Sequence, residues 1–321
     1  MAPSRPRGWP PVPERLPVDV VDNHTHLESV VTWVADGWDD AVASADDPAA
    51  DPTAQPPVPD LTAHLARAAA VGVPRMVQVG CDLDAVRWTD DAVRSHRELL
   101  GAVAIHPNEA VLHAGVQEVA PDGLDPDPQP RHGTGLDDAI AAVADVARAN
   151  DRVRAIGETG LDHFRAGPRG REVQREAFRA HIALAKELGL ALQIHDRDAH
   201  AEVVEVLLAD GAPERTVFHC FSGDAELARL CVAHGWYLSF AGPVTFAAND
   251  DGRAALAQTP ASLLLLETDA PYLTAHPHRG RPNAPYLLPL TAVRAAQVRH
   301  VDLASLCAGV AATSEAVYGP W

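Results

Sequence analysis

The sequence predicts an α/β chain folded as a (β/α)8 TIM barrel, and three observations predict it. Strand-length apolar runs alternate with amphipathic helical segments about eight times over roughly 300 residues, the size and rhythm of that barrel. Residue types that ligate metals recur where those runs stop: His24 and His26, Glu158, His195, His219 and Asp269. In such a barrel all strand ends share one rim, where active sites sit. The runner-up, a doubly wound open sheet, would not easily bring the first and eighth runs together. No glycine-rich phosphate loop follows the first run either.

The elements follow in order. Residues 1–17 are proline-rich and lack an apolar stretch, which predicts a disordered arm rather than a signal peptide. A single domain is expected over 18–321. Val18, Val20 and Val21 read as a buried strand; side chains two apart share a face, so His24 and His26 point the same way. Residues 30–60, rich in Asp, Ala and Pro, read as a polar insertion. A helix is expected at 61–72, a strand at 75–80, a helix at 83–97 and a third strand at 99–107 that ends in His106. A second insertion at 114–135 precedes a helix at 136–150. Strand four ends in Glu158, and a long helix covers 171–188. Strand five ends in His195, with a helix at 200–209. Strand six carries His219, with a helix at 225–234. Strand seven spans 236–240 and a short helix 253–258. Strand eight delivers Glu267 and Asp269, and helices near 287–299 and 303–317 close the chain.

Composition bounds the function. The 321 residues carry a formal net charge of −18, with Lys186 as the lone lysine. So acidic a chain repels polyanions at long range, which weighs against a high-affinity nucleic-acid binder but not against a hydrolase. Low aromatic content offers no evident stacking platform. No run is long enough to span a bilayer. Cys81, Cys220, Cys231 and Cys307 lack C-x-x-C spacing and fit reduced thiols in a cytoplasmic protein. Cys220 is expected to alternate away from His219 and pack. No obligate protein partner is evident.

Four histidines and two carboxylates at run ends point to a two-metal site. Seven ordered motifs carry a resemblance: DNHTHL at 22–27, AIHP at 104–107, GETGLD at 157–162, IHDRDA at 194–199, FHCFSG at 218–223, ETDAPYL at 267–273 and RGRPNAP at 279–285. In these the chain resembles the TatD family of metal-dependent hydrolases, within the amidohydrolase-like barrels. The resemblance implies a binuclear site: His24 and His26 on one ion, Glu158 bridging, His195 and His219 on the second, and Asp269 completing the first. It also implies a DNase, often a 3′→5′ exonuclease. Departures are the two insertions, which overhang the rim and put substrate choice in question, and His163 where the family usually has an aromatic residue.

Two divalent cations (Zn, Mn, Mg, Fe or Ni) clamp the attacking and leaving oxygens of a phosphoryl displacement. Asp269 is read as ligand, general base or both, against a helix-capping carboxylate. Glu158 is read as the bridge, against a capping or salt-bridged glutamate. His106, Arg197, Arg279 and Arg281 are candidate substrate contacts, against a capped core histidine and solvated loop arginines. Asp22, Glu267 and Asp198 are expected behind the ligands. DNA or a small phosphodiester or ester is the expected substrate. A lactone, ester or C–N bond hydrolase is the alternative, without the carbamylated-lysine bridge, because the strand-four position holds Glu158. A non-catalytic scaffold would have lost ligands, and none is missing.

Overall fold

The computed structural model describes residues 8–33 and 59–321; most of the 30–60 insertion lies outside the described residues. In chain order the elements are β1 (Val21–Thr25), α1 (Leu27–Val30), α2 (Leu61–Ala70), β2 (Arg75–Gly80), α3 (Leu83–Ser95), β3 (Leu99–Val103) and α4 (Pro107–His113). There follow α5 (Leu136–Ala149), β4 (Val153–Asp162), α6 (Pro168–Leu188), β5 (Ala191–Arg197), α7 (His200–Asp210), β6 (Thr216–Phe218) and α8 (Ala225–Ala233). The chain finishes with β7 (Tyr237–Phe240), α9 (Asp250–Gln258), β8 (Leu264–Leu266), α10 (Leu288–Arg299) and α11 (Leu303–Tyr318).

Local chemistry sets the boundaries. Asp60, Asp82, Asp224 and Asp302 accept backbone N–H bonds at the starts of α2, α3, α8 and α11, each satisfying donors the helix leaves open. Pro168 opens α6, and Gly189, at φ 62°, ends it in the left-handed conformation that glycine adopts without penalty.

The eight strands pair in parallel in the order β1 to β8. Thr25 bridges to Ala270 beyond β8, so the sheet is nearly closed into a barrel. The seam is hydrogen-bonded where the candidate ligands sit: His26 N–H donates to Ala270 O at 2.8 Å and Asp269 N–H to His24 O at 3.0 Å. Buried Asp22 accepts from the Thr268 N–H at 2.8 Å and from its hydroxyl. Burial pushes the Asp22 carboxyl up to about 8.

Alternation along the strands makes two apolar layers. Val77, Val79, Leu100, Ala102, Ala191 and Leu265 fill the interior, joined by Tyr318 from α11. Met76, Leu99, Val103, Leu192 and Leu264 point outward to the helices. Each buried Val or Leu contributes about 1.5–3 kcal/mol, so this layering fixes which face of every strand looks inward. Among the described residues no helix is long and apolar enough to cross a membrane.

Three expectations are corrected. Of the disordered arm expected over 1–17, residues 1–7 lie outside the described residues and 8–17 are ordered: Trp9 and Leu16 are buried, and Leu16 and Val20 donate to the carbonyls of Val71 and Gly72. Proline density there reflects an extended packed segment. The third strand stops at Val103, and His106 instead caps α4, a helix the sequence reading passed over. β4 runs on through Glu158 to Asp162.

Candidate metal centre

His24, at the end of β1, and His26, just beyond it, face one another with their Nε2 atoms 3.3 Å apart. Their tautomers follow from what lies behind them. Gln193 Nε2 donates to Asn23 O at 3.0 Å and to the Tyr318 hydroxyl at 2.7 Å, which leaves Gln193 Oε1 as an acceptor, 3.0 Å from His24 Nδ1. His26 Nδ1 lies 3.1 Å from the carbonyl of Val79. Both rings therefore carry a proton on Nδ1, and two Nε2 lone pairs converge. Such an arrangement calls for a shared proton or a cation between them. Burial, with His219 close by, pushes His24 below its ordinary range, so it favours the neutral, ligating form.

Glu158, in β4, is buried among the histidines and presents its two oxygens to different partners. Oε2 lies 3.5 Å from His24 Nε2 and 3.6 Å from His26 Nε2. Oε1 lies 2.6 Å from His195 Nδ1 and 2.8 Å from His219 Nε2. Burial opposes its charge, but the surrounding imidazoles outweigh this and hold the carboxyl well below its ordinary range. It sits inside a strand, so it caps no helix. Asp269 Oδ1 stands 3.6 Å from His26 Nε2 and 3.9 Å from His24 Nε2, at the same rim as Glu158. Its backbone is left-handed (φ 53°) and bonded to His24, and no helix begins behind it.

These donor spacings suit ligands roughly 2.1 Å from a shared ion. Two sets, His24–His26–Glu158 and His24–His219–Asp269, each have their donor atoms within 4.8 Å of one another; His106, Glu158 and His195 lie as close together, with His106 excluded as a ligand by its tautomer. The donor set is nitrogen and oxygen from buried groups, which fits a first-row divalent ion.

Residues around the ligands sort differently from expectation. Glu267 Oε1 lies 3.3 Å from His219 Nδ1 and accepts from Cys220 N–H at 2.7 Å, as a supporting residue should. Asp22 holds the N–H and hydroxyl of Thr268 rather than an imidazole, and Asp198 is exposed at φ 56°, past the rim. Its neighbour Asp196 lines the cavity and bonds His200 at 2.7 Å instead. Gln193 and Asp162, whose Oδ2 is 3.3 Å from His195 Nε2, were passed over. The glutamine gave no metal-like signal. Asp162 did, as the last residue of GETGLD. Cys220 was expected to turn away; β6 ends at Phe218, alternation fails, and Cys220 lines the cavity with Cys81.

The cavity holds about 780 Å³ and opens at the rim. His106 lies in its wall, Nε2 3.4 Å from Glu158 Oε1, while its Nδ1 accepts the Asn108 N–H at 3.1 Å. Burial lowers its basicity, so the neutral ring carries its proton on Nε2 and is a donor there rather than a ligand. Arg197 lines the mouth, its guanidinium 4.0 Å over Phe164. Arg281 does not reach the cavity; it holds the carbonyls of Gly8 and Trp9. Arg279 is exposed and stacked on Phe246, 4.7 Å away, outside the cavity lining. The arginine clamp expected there is thus corrected. Tyr272, 56% exposed, stands over His26 at the mouth with rings 5.9 Å apart, so an aromatic surface exists after all.

The family model described as TatD related DNase matches residues 21–319. The chain belongs to the TatD family. It is 42% identical to a metal-dependent hydrolase TatD of Mycobacterium tuberculosis over 85% of this chain and 87% of that one. It is 34% identical to a 3′-5′ ssDNA/RNA exonuclease TatD of Cronobacter sakazakii over 75% and 85%. Among solved structures, the TatD homologue YjjV of Escherichia coli superposes with a TM-score of 0.70 at 22% identity, covering 81% of this chain and 92% of its own. A TatD family hydrolase of Entamoeba histolytica gives 0.72 at 17% identity over 95% and 100%. These last two show a shared fold. This TatD-family chain is accordingly a metal-dependent hydrolase, with its ligand-type residues gathered at one mouth of the barrel.

Proposed function

We propose that this protein is a phosphodiesterase acting on DNA ends, a deoxyribonuclease of 3′→5′ type with two divalent ions. The observation that carries the reading is the split of Glu158: one oxygen turned to His24 and His26, the other to His195 and His219. A carboxylate used this way can hold a separate ion on each side. Two ions held by these residues would supply Lewis acidity and lower the pKa of a water toward neutral.

The remaining roles belong to the chain. Asp269 Oδ1, facing the same space and otherwise unengaged by a helix, accepts the proton of the attacking water. His106 donates from Nε2 to a phosphate or leaving-group oxygen, the state its Asn108 contact enforces. Arg197 and Arg165 line the mouth and meet flanking phosphates. Asp122 of the 114–135 insertion is 3.2 Å from Arg165, and Glu118 accepts from Gly170 N–H. The insertion is thus anchored to Arg165 and the start of α6 without lining the cavity itself, and the recessed cavity at the barrel mouth suits a frayed end better than continuous duplex. The exonuclease name of the Cronobacter relative supports the same substrate class.

The test is turnover of single-stranded DNA and of bis-p-nitrophenyl phosphate with Mn²⁺, Mg²⁺ or Zn²⁺, beside lactone and amide panels. Phosphodiester cleavage is expected, with a loss of at least about 10³-fold in Glu158→Ala. Ester or amide turnover without phosphodiester turnover would overturn the reading.

A further inference from the structure

We propose that Glu109, His113 and His132 form a separate metal site, for a divalent ion of the zinc class, that staples the 114–135 insertion to α4. Glu109 and His113 are four residues apart on α4 and so share a face. His132 comes from the insertion, in the short 3-10 turn Pro130–Gly133. The donor atoms of the three lie within 4.8 Å of one another, and the two rings are 4.8 Å apart.

His113 is the observation that points to a ligand. The residue is 4% exposed. Its Nδ1 donates to the Thr134 carbonyl at 2.8 Å, so its Nε2 carries a lone pair, and that buried Nε2 has no hydrogen-bond partner. An imidazole fixed by a backbone carbonyl on one nitrogen, with the other bare and aimed at a carboxylate and a second imidazole, is the arrangement of a metal ligand. Two nitrogens and one oxygen suit zinc, with a fourth position left for water.

Occupancy requires two local exchanges. Arg131 holds Glu109, Nε to Oε2 at 2.7 Å, and must release it; the Asp82 and Asp84 carboxylates already lie 3.5 and 3.6 Å from its terminal nitrogens and can receive it. His132 donates Nε2–H to Glu109 at 2.8 Å and accepts the exposed Gln129 N–H on Nδ1 at 2.7 Å. Binding moves its proton from Nε2 to Nδ1 and leaves the Gln129 N–H to water.

The holoenzyme supplemented with Zn²⁺ and desalted provides the test, with zinc per chain read by mass spectrometry. Wild type is expected to retain one ion more than His132→Ala or His113→Gln. A His24→Ala/Glu158→Ala background, which lacks the proposed catalytic ligands, should keep one ion that His132→Ala then removes, so this result stands apart from the fate of the catalytic reading. Zinc should slow tryptic cleavage after Arg131 several-fold in wild type and not in His132→Ala. Equal zinc content in wild type and both variants, or no zinc held by the doubly substituted background when circular dichroism shows it folded, would overturn the proposal.

Discussion

At the scale of single residues, the centre depends on side chains that never touch an ion. Gln193 is the clearest. Its amide is locked by Asn23 O and by Tyr318 of the last helix, and its oxygen dictates that His24 keeps its proton on Nδ1. Gln193→Leu preserves volume and removes that instruction, so His24 is free to adopt the wrong tautomer or to protonate. The expected outcome is a 10- to 100-fold weaker metal affinity, of the order seen when such outer partners are lost, measured by competition with a chelator. An unchanged affinity would mean that strand geometry alone orients His24. The ligand-type residues were legible in the sequence because imidazoles and carboxylates at strand ends are chemically unusual. Gln193 was not, because a glutamine in an apolar strand announces nothing until its partners 170 and 125 residues away are known.

At the scale of elements, strands and helices were read within a few residues wherever periodicity was long, as in α3, α5, α6 and α11. What failed was the short and the irregular. α4 is seven residues, too brief for a periodic signal, and proline-rich residues 8–17 look disordered until Arg281 and Tyr286 are seen holding their carbonyls. Arg281→Ala should therefore cost about 1–3 kcal/mol by leaving carbonyls unpaired, seen in denaturant unfolding. It should leave kcat/KM on a small phosphodiester unchanged, and a selective rise in KM would restore the phosphate-clamp reading. α6 carries a second consequence through His181, which bonds the Ala177 carbonyl by Nδ1 and accepts the Ile105 N–H on Nε2. Protonation would set two donors against each other, and burial lowers His181 from 6.5 to about 4. The unfolded chain thus binds this proton first. Stability is complete above about pH 6.5 and declines as pH falls toward 4, by roughly 3 kcal/mol in all. Equilibrium unfolding across that window should show the slope, reduced in His181→Gln.

At the scale of the whole molecule, charge and activity pull in opposite directions. Lys and Arg number 26 against 44 Asp and Glu, so the far field repels the substrate proposed for the site. A basic protein that contacts about four phosphates of a single strand loses several hundredfold in affinity per tenfold rise in salt, because bound counterions are released. Here the proposed attraction is local to the mouth, to Arg165, Arg197 and the ions proposed there, while the net charge of the chain repels. Salt at 0.1 M screens charges beyond roughly 10 Å, so it removes the repulsion first and leaves the short contacts largely intact. Raising NaCl from about 20 to 200 mM should then leave kcat/KM for a single-stranded oligonucleotide level or raise it a few-fold. The same change should leave an uncharged ester, if one is turned over, unaffected. A steep fall with salt for the oligonucleotide would mean that a basic track outside the cavity carries the strand, and the site would then be reading a polymer along its length rather than an end.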